Sequence, residues 1–112
     1  MPKTANRTYS RYTQDAVQLI AHLIRSTRVE RKLTTQEVAE RAGISRGLLQ
    51  RIEKGDFNCG IGAVFEVATI VGVRLFDMEQ TTLTKQIKQL DDKLTLLPKS
   101  IRKTSRPVND DF

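Results

Sequence analysis

The stretch TTQEVAERAGISRGLLQRIEKG, residues 34–55, carries two helix-start signals separated by a glycine. Thr34 followed by Glu37 is a capping box, in which the threonine oxygen can accept from the backbone N–H three residues on and the glutamate reaches back to the N–H of the cap. Gly43 can adopt the left-handed conformation that ends a helix at low cost. Ser45 is the next N-cap candidate, and a final glycine closes the segment. The spacing predicts two short helices set at an angle.

Apolar residues at helical spacing predict an inner face for each of these two helices. In the first helix they are Val38, Ala39 and Ala42, with Ile44 filling the corner after it. In the second helix they are Leu48, Leu49 and Ile52. Four residues of the second helix then face outward, namely Arg46, Gly47, Gln50 and Arg51. The charge split of the segment suggests that only one of the two helices meets a polyanion.

The chain before this segment predicts a polar arm and one amphipathic helix. Residues 1–14 are polar without apolar periodicity, and we interpret them as an arm. From Asp15 to about Arg31, apolar side chains recur at spacings of three and four, as an amphipathic helix requires. This stripe consists of Val17, Ile20, Ile24 and the aliphatic stem of Arg28, with Leu19 and Leu23 widening it.

The chain after the segment predicts two further helices and a short strand. A fourth helix ends at Gly72, with its apolar residues at Ile61, Val64, Phe65, Ala68 and Val71. The sequence VRLFDM, residues 73–78, alternates and is β-prone, so it could form a short strand paired with another copy of the chain. A last helix carries a 4-3-4-3 stripe, typical of a heptad seam, at Leu83, Ile87, Leu90, Leu94 and Leu97. The stripe suits packing within the chain and contact across a dimer equally well.

Composition favours a nucleic-acid partner and argues against several other classes. The 112 residues carry a formal net charge of +6, and a pI of about 9.8 suits nucleic acid or another acidic surface. Cys59 and His22 are the only residues of their kind, so no disulfide, zinc spacing or catalytic triad can be assembled. No stretch is long and apolar enough for a signal-peptide core or a membrane span. We expect a cytoplasmic, non-enzymatic protein that needs no cofactor or metal.

The outward residues of the second short helix have the chemistry of base recognition. Two short helices joined through a glycine match a helix-turn-helix, whose second helix enters the major groove of DNA. Arginine can grip guanine O6 and N7 with two donors, and glutamine can pair with adenine N6 and N7. The start of the first short helix is suited to phosphate oxygens. The candidate DNA contacts are Thr35, Gln36, Ser45, Arg46, Gly47, Gln50 and Arg51.

Residues 20–75 resemble the lambda-repressor-like, XRE-type helix-turn-helix family. The resemblance is carried by IRSTR at 24–28, LTTQEVAERAG at 33–43, ISRGLLQRIEKG at 44–55 and VFEVATIVGV at 64–73. It implies an all-α domain of five helices that binds operator DNA as a dimer. It also implies a buried ion pair between Arg28 and Glu53. Thr35 departs from the family, which usually has glutamine there, and Cys59 and Gly60 replace its common proline and serine.

The regions outside this domain resemble the HipB-type antitoxin regulators, which are associated with HipA-like kinase toxins. The resemblance is carried by YSRYTQDA, VRLFDM, and a tail of the form LLPKSIRK…VNDDF. It implies a repressor of its own operon, with a kinase-like toxin docked on the dimer. The candidate partner-docking residues of the tail are Ile101, Arg102, Val108 and Phe112. The tail is equally compatible with touching DNA or with plain solvation.

The sequence therefore favours a dimeric repressor that binds a palindromic operator, most similar to the antitoxin of a toxin–antitoxin operon. The expected organisation is an arm (1–14), a helix-turn-helix domain (15–78), a C-terminal helix (79–98) and a tail (99–112). One alternative is a general or phage-type regulator with the same DNA chemistry but no toxin. Another is a protein-interaction module that no longer reads DNA, which the unusual residues at Thr35 and Gly47 keep open.

Overall fold

A computed structural model describes residues 8–103, which form five α-helices and no strand. The first compact unit, within Met1–Asp77, contains four of these helices: α1 (Arg11–Glu30), α2 (Thr35–Ala42), α3 (Arg46–Glu53) and α4 (Ile61–Val71). The second unit, within Met78–Phe112, contains α5 (Gln80–Leu96). The predicted all-α fold of about five helices is confirmed.

Helix α1 begins four residues earlier than the apolar pattern predicts. Its N-cap is Ser10, whose hydroxyl accepts from the backbone N–H of Thr13 at 3.3 Å. Since this first turn is largely exposed and polar, it contributes nothing to the apolar periodicity. Residues 11–14 therefore belong to α1, and the prediction of an arm over all of 1–14 is wrong. Residues 1–7 of that arm lie outside the described residues.

The start of α2 has the predicted capping box. The Thr34 hydroxyl accepts from the backbone N–H of Glu37 at 3.0 Å, and the Glu37 carboxylate accepts from the N–H of Thr34 at 2.8 Å. Because this backbone hydrogen bond favours the charged carboxylate, it lowers the pKa of Glu37. Gly43 ends α2 in the left-handed region at φ 69°. The Ser45 hydroxyl then caps α3 by accepting from the N–H of Leu48 at 3.0 Å.

The core of the first unit lies between α1, α2, α3 and α4. The largest fully buried side chains come from all four helices: Ile24, Leu49, Val38, Val67 and Val71. Leu19 and Leu23 do not join this core, because their side chains are 59% and 40% exposed. The prediction that they widen the inner stripe of α1 is therefore wrong. They lie beside it on the solvent side of the helix.

The segment 73–78 is a loop, so the predicted strand does not form within the described chain. Local turns use two of its backbone N–H groups, since Val73 donates to the carbonyl of Ala68 at 2.7 Å and Asp77 to that of Arg74 at 3.1 Å. The ring of Phe76 stacks on Phe65 of α4, with centroids 5.8 Å apart. A β-prone pattern alone cannot form a strand without a neighbouring strand to pair with.

Helix α5 contains four of the five predicted seam residues, ends one residue before Leu97, and buries none of its residues. Ile87, Leu90 and Leu94 are 62%, 55% and 65% exposed, while Leu83 is half-buried and Leu97 is exposed. A stripe of this size is unusual on a helix surface unless another surface covers it.

An ion pair joins the last turn of α1 to the last residue of α3. Arg28 Nε lies 2.7 Å from Glu53 Oε2, and Arg28 Nη2 donates to Oε1 at 3.0 Å. Arg28 Nη1 also donates to the carbonyl of Leu33, just before α2, at 2.9 Å. The two charged side chains are only 12% and 7% exposed. The hydrogen bonds to Glu53 raise the pKa of Arg28, so the guanidinium group stays charged.

Removing Arg28 should destabilise this unit strongly. Arg28→Ala leaves the Glu53 carboxylate buried without a cation, and removal of one partner of a buried pair costs about 3–5 kcal/mol in the free energy of unfolding. Thermal or urea unfolding would measure this loss. Arg11→Ala serves as the control, because its pair with Asp15 is exposed and should contribute less than about 1 kcal/mol. Equal stability of the two variants would contradict the prediction.

Candidate nucleic-acid interface

Helices α2 and α3, with the turn between them, have the local structure of a helix-turn-helix. The two helices pack on each other and are separated by Gly43, Ile44 and Ser45. The backbone N–H of Ile44 donates to the carbonyl of Ala39 at 3.0 Å, and its side chain packs against the core. The left-handed glycine lets the chain change direction, and the isoleucine anchors the corner. The second helix of the pair is therefore held at a defined angle to the first.

One side of α3 is buried and the other is exposed. Leu49 and Ile52 lie in the core, and Leu48 packs at its edge. The exposed residues are Arg46, Gly47, Gln50 and Arg51. Ser45 is also exposed, but its hydroxyl already accepts the N–H of Leu48, which makes it the helix cap. The exposed side thus presents two cations and one amide.

Gly47 has no packing reason to be glycine. A Cβ atom built at this position would meet no atom nearer than the Ser45 hydroxyl oxygen, at 3.9 Å. Its backbone also has no positive φ, which Gly43, Gly55 and Gly72 do have. The fold itself therefore tolerates a larger residue here, and the missing side chain leaves the backbone of α3 open to close approach.

The start of α2 presents the other predicted contacts. Thr35 is the first residue of α2 and is half-buried, while Gln36 is exposed. The Gln36 amide donates to the Glu40 carboxylate at 2.8 Å, which holds the glutamine along the helix. Glu40 was not singled out by the sequence pattern, although its spacing of four from Gln36 is that of neighbouring side chains on a helix.

Arg51 is held by the loop that follows α3. Its Nε lies 2.9 Å from Asp56 Oδ2, and its Nη2 donates to the carbonyl of Asn58 at 3.4 Å. Asp56 Oδ1 accepts from the backbone N–H of Asn58 at 2.7 Å. That backbone bond and the arginine lower the pKa of Asp56, and the carboxylate raises the pKa of Arg51. Sequence reasoning missed Asp56, because its contact depends on how the chain turns at Gly55.

The remaining predicted site residues lie outside the helix-turn-helix. The Arg28–Glu53 pair joins α1 to the C-terminal end of α3, whereas Arg46 is at the N-terminal end of that helix. Four of the five seam residues lie on α5, and Leu97 follows its last residue as the C-cap. Ile101 and Arg102 are exposed. Val108 and Phe112 lie outside the described residues.

Residues 8–103 contain neither a candidate metal site nor a membrane-spanning helix. No three His, Cys, Asp or Glu side chains in this range are grouped to hold a metal ion. In the same range, no helix combines the length and apolar character needed to cross a membrane. Cys59 is half-buried, and burial raises the pKa of its thiol, so it is predominantly protonated at neutral pH.

Comparison with a protein-family model agrees with this geometry. The model of a helix-turn-helix domain family matches residues 19–74, which is half of the chain. No curated protein shows significant similarity. The chain is similar to the clp gene regulator ClgR from Corynebacterium glutamicum, with 22% sequence identity and a TM-score of 0.49 over 70% of this chain and 88% of that chain. On the family match, the protein belongs to the helix-turn-helix domain family.

Proposed function

We propose that the protein is a sequence-specific DNA-binding repressor that binds a palindromic operator as a homodimer. The observation that carries this proposal is the exposed side of α3, where two arginines and a glutamine stand on a helix of the helix-turn-helix family. In that motif the second helix lies in the major groove of DNA. The proposal therefore assigns base recognition to α3.

The residue types on α3 suit the major groove. Arg46 and Arg51 offer paired donors that match O6 and N7 of guanine, and Gln50 offers a donor and an acceptor that match adenine. Gly47 allows the helix backbone to approach the bases or sugars without a side chain between them. These residues account for discrimination between sequences.

The start of α2 suits the phosphate backbone. The exposed N–H groups and partial positive charge of a helix N-terminus attract anions. Thr35 and Gln36 add a hydroxyl and an amide beside them. The formal net charge of +6 supplies sequence-independent attraction that weakens as salt rises. These contacts account for affinity and orientation.

Removing a cation from α3 should weaken specific DNA binding. Gel shift with the upstream DNA of the protein's own gene, with nonspecific competitor and across a salt series, would measure it. Arg46→Ala and Arg51→Ala should each reduce specific affinity about 5- to 150-fold, which corresponds to about 1–3 kcal/mol for one good base contact. Arg25→Ala is the charge-matched control, because Arg25 is exposed on α1 and outside the motif. Unchanged binding by both α3 variants would favour the protein-interaction module.

Gly47→Ala gives a second test in which stability and binding move in opposite directions. Replacing a helical glycine by alanine should raise the free energy of unfolding by about 0.5 kcal/mol, because the unfolded chain loses conformational freedom. The same methyl group should weaken operator binding if DNA approaches the α3 backbone closely. A variant that is more stable and still binds normally would refute the close approach.

The proposed dimer uses the apolar stripe of α5. Five aliphatic residues at heptad spacing form a narrow seam, and the described chain leaves most of them exposed. Burial of this seam against a second copy would remove the apolar surface from water. A two-fold dimer also contains two α3 helices, one for each half-site of a palindromic operator.

A charge introduced into the apolar seam of α5 should dissociate the proposed dimer into monomers. Leu90→Asp should yield a monomer, because pairing would bury a carboxylate without a partner. Light scattering coupled to gel filtration would show the mass halve, and operator affinity should fall with it. Gln89→Asp is the matched control, since it adds the same charge at a neighbouring polar position. A Leu90→Asp protein that remains dimeric would rule out this seam.

A more specific proposal is that this repressor is the antitoxin of an operon that encodes a HipA-like kinase toxin. Its support is the sequence resemblance of the regions around the domain. The start of the tail adds an exposed apolar residue, Ile101, beside the exposed Arg102. Such a pair can offer one apolar and one charge-assisted contact to another protein.

Deletion of residues 99–112 should affect the affinities for the two proposed partners differently. The truncated chain retains α1–α5 and should bind operator DNA within about threefold of the full chain, as surface changes outside the site usually cost little. Its affinity for a HipA-like kinase encoded beside it should fall clearly. Calorimetric titration of both chains with both partners would test this. A loss confined to DNA affinity would contradict the assignment of the tail to the toxin.

A further inference from the structure

We infer that Asp56 is a positioning residue for Arg51 and thereby helps to set which base pair α3 recognises. This inference rests on the proposed function, because it assigns a role within the same DNA-binding surface. It adds a residue that the helix-turn-helix pattern does not contain. The contacts of the loop after α3 carry it.

Asp56 is placed opposite Arg51 by the way α3 ends. The backbone N–H of Gly55 donates to the carbonyl of Ile52 at 3.1 Å, and the N–H of Asp56 donates to that of Arg51 at 3.0 Å. With Gly55 at φ 80°, these bonds form a Schellman motif. The two residues that often make an apolar contact in this motif are here Arg51 and Asp56, which form an ion pair instead. Their pairing therefore follows from the helix ending itself.

Further contacts keep the Asp56 carboxylate in place. Its Oδ1 accepts from the backbone N–H of Asn58 at 2.7 Å. The next residue, Phe57, stacks on Tyr9, with ring centroids 4.4 Å apart and planes inclined by 15°. The loop is thus attached both to the end of α3 and to the residues just before α1. A fixed carboxylate can orient an arginine that would otherwise sample many rotamers.

The ion pair uses only one edge of the guanidinium group. Asp56 and the Asn58 carbonyl take hydrogens from Nε and Nη2. Arginine carries five N–H donors, so three remain, including both on Nη1. Nη1 and Nη2 form the end of the group, which matches paired acceptors such as guanine O6 and N7. Asp56 can therefore hold Arg51 while its end stays available to a base.

Positioning and simple charge repulsion predict opposite effects of removing the carboxylate. Asp56 is an anion beside a surface proposed to meet phosphates, so electrostatics alone predicts stronger binding to all DNA when it is neutralised. Positioning predicts weaker binding to the operator, because Arg51 must then lose more side-chain freedom on binding. The sign of the change in specific affinity separates the two.

Asp56→Asn is the clean variant for this test. The amide oxygen can still accept from the N–H of Asn58, while the amide nitrogen cannot accept from Arg51 Nε. We expect the affinity for the operator to fall about tenfold, which is the scale of one bidentate base contact. The affinity of Asp56→Asn for competitor DNA should equal or exceed that of the wild-type protein. In a panel of single base-pair operator variants, Asp56→Asn and Arg51→Ala should lose discrimination at the same base pair.

The double variant Arg51→Ala/Asp56→Asn should bind the operator no more weakly than Arg51→Ala alone, because Asp56 acts through the arginine. Asp15→Asn is the control, since it removes a carboxylate from an exposed ion pair on α1 and should leave discrimination unchanged. Thermal unfolding would check that each variant is folded. Operator binding by Asp56→Asn with wild-type affinity and discrimination would overturn the inference while leaving the proposed function intact. Wild-type protein without operator preference would overturn both.

Discussion

The Arg28–Glu53 ion pair is the constraint on which the position of α3 depends. Its atoms connect the last turn of α1, the end of α3 and the backbone just before α2. Burial makes it costly to leave either charge without its partner, so the fold must keep the guanidinium group within reach of all three of its acceptors. The orientation of α3 is therefore set from its buried side. The residues on its exposed side do not contribute to the packing of the core.

The sequence predicts those helix ends that are fixed by capping residues or glycines close to them in the chain. Thr34 with Glu37, Gly43 and Gly72 each act through neighbours within a few residues, so the limits of α2 and the end of α4 follow from the chain alone. The start of α1 was missed, because Ser10 caps a polar first turn that has no apolar signature. The segment 73–78 forms no strand within the described chain for a different reason, since strand formation depends on a partner that local sequence does not specify.

The candidate site likewise has features that the sequence predicts and features that it does not. Helical periodicity is enough to predict which residues of α3 face outward. The partners of those side chains are not predictable from periodicity, because they depend on the path of the loop and on rotamers. The contact of Arg51 with Asp56 is of this kind. The contact of Gln36 with Glu40 joins two residues of α2 at a spacing of four, so only its rotamers lie beyond periodicity. Both bring an acid to a residue proposed to contact DNA, so the surface is less positive locally than a count of its cations suggests.

The shortness of α3 links the folding of the domain to its use. A helix of eight residues is not stable by itself in water, so its exposed side exists only while the surrounding helices are packed. Under the proposed function, a bound operator adds to folding stability, because the unfolded chain offers no such surface to DNA. Proteases that cut opened chains would then remove free repressor faster than bound repressor. Promoter occupancy would thus prolong the lifetime of the protein that maintains it.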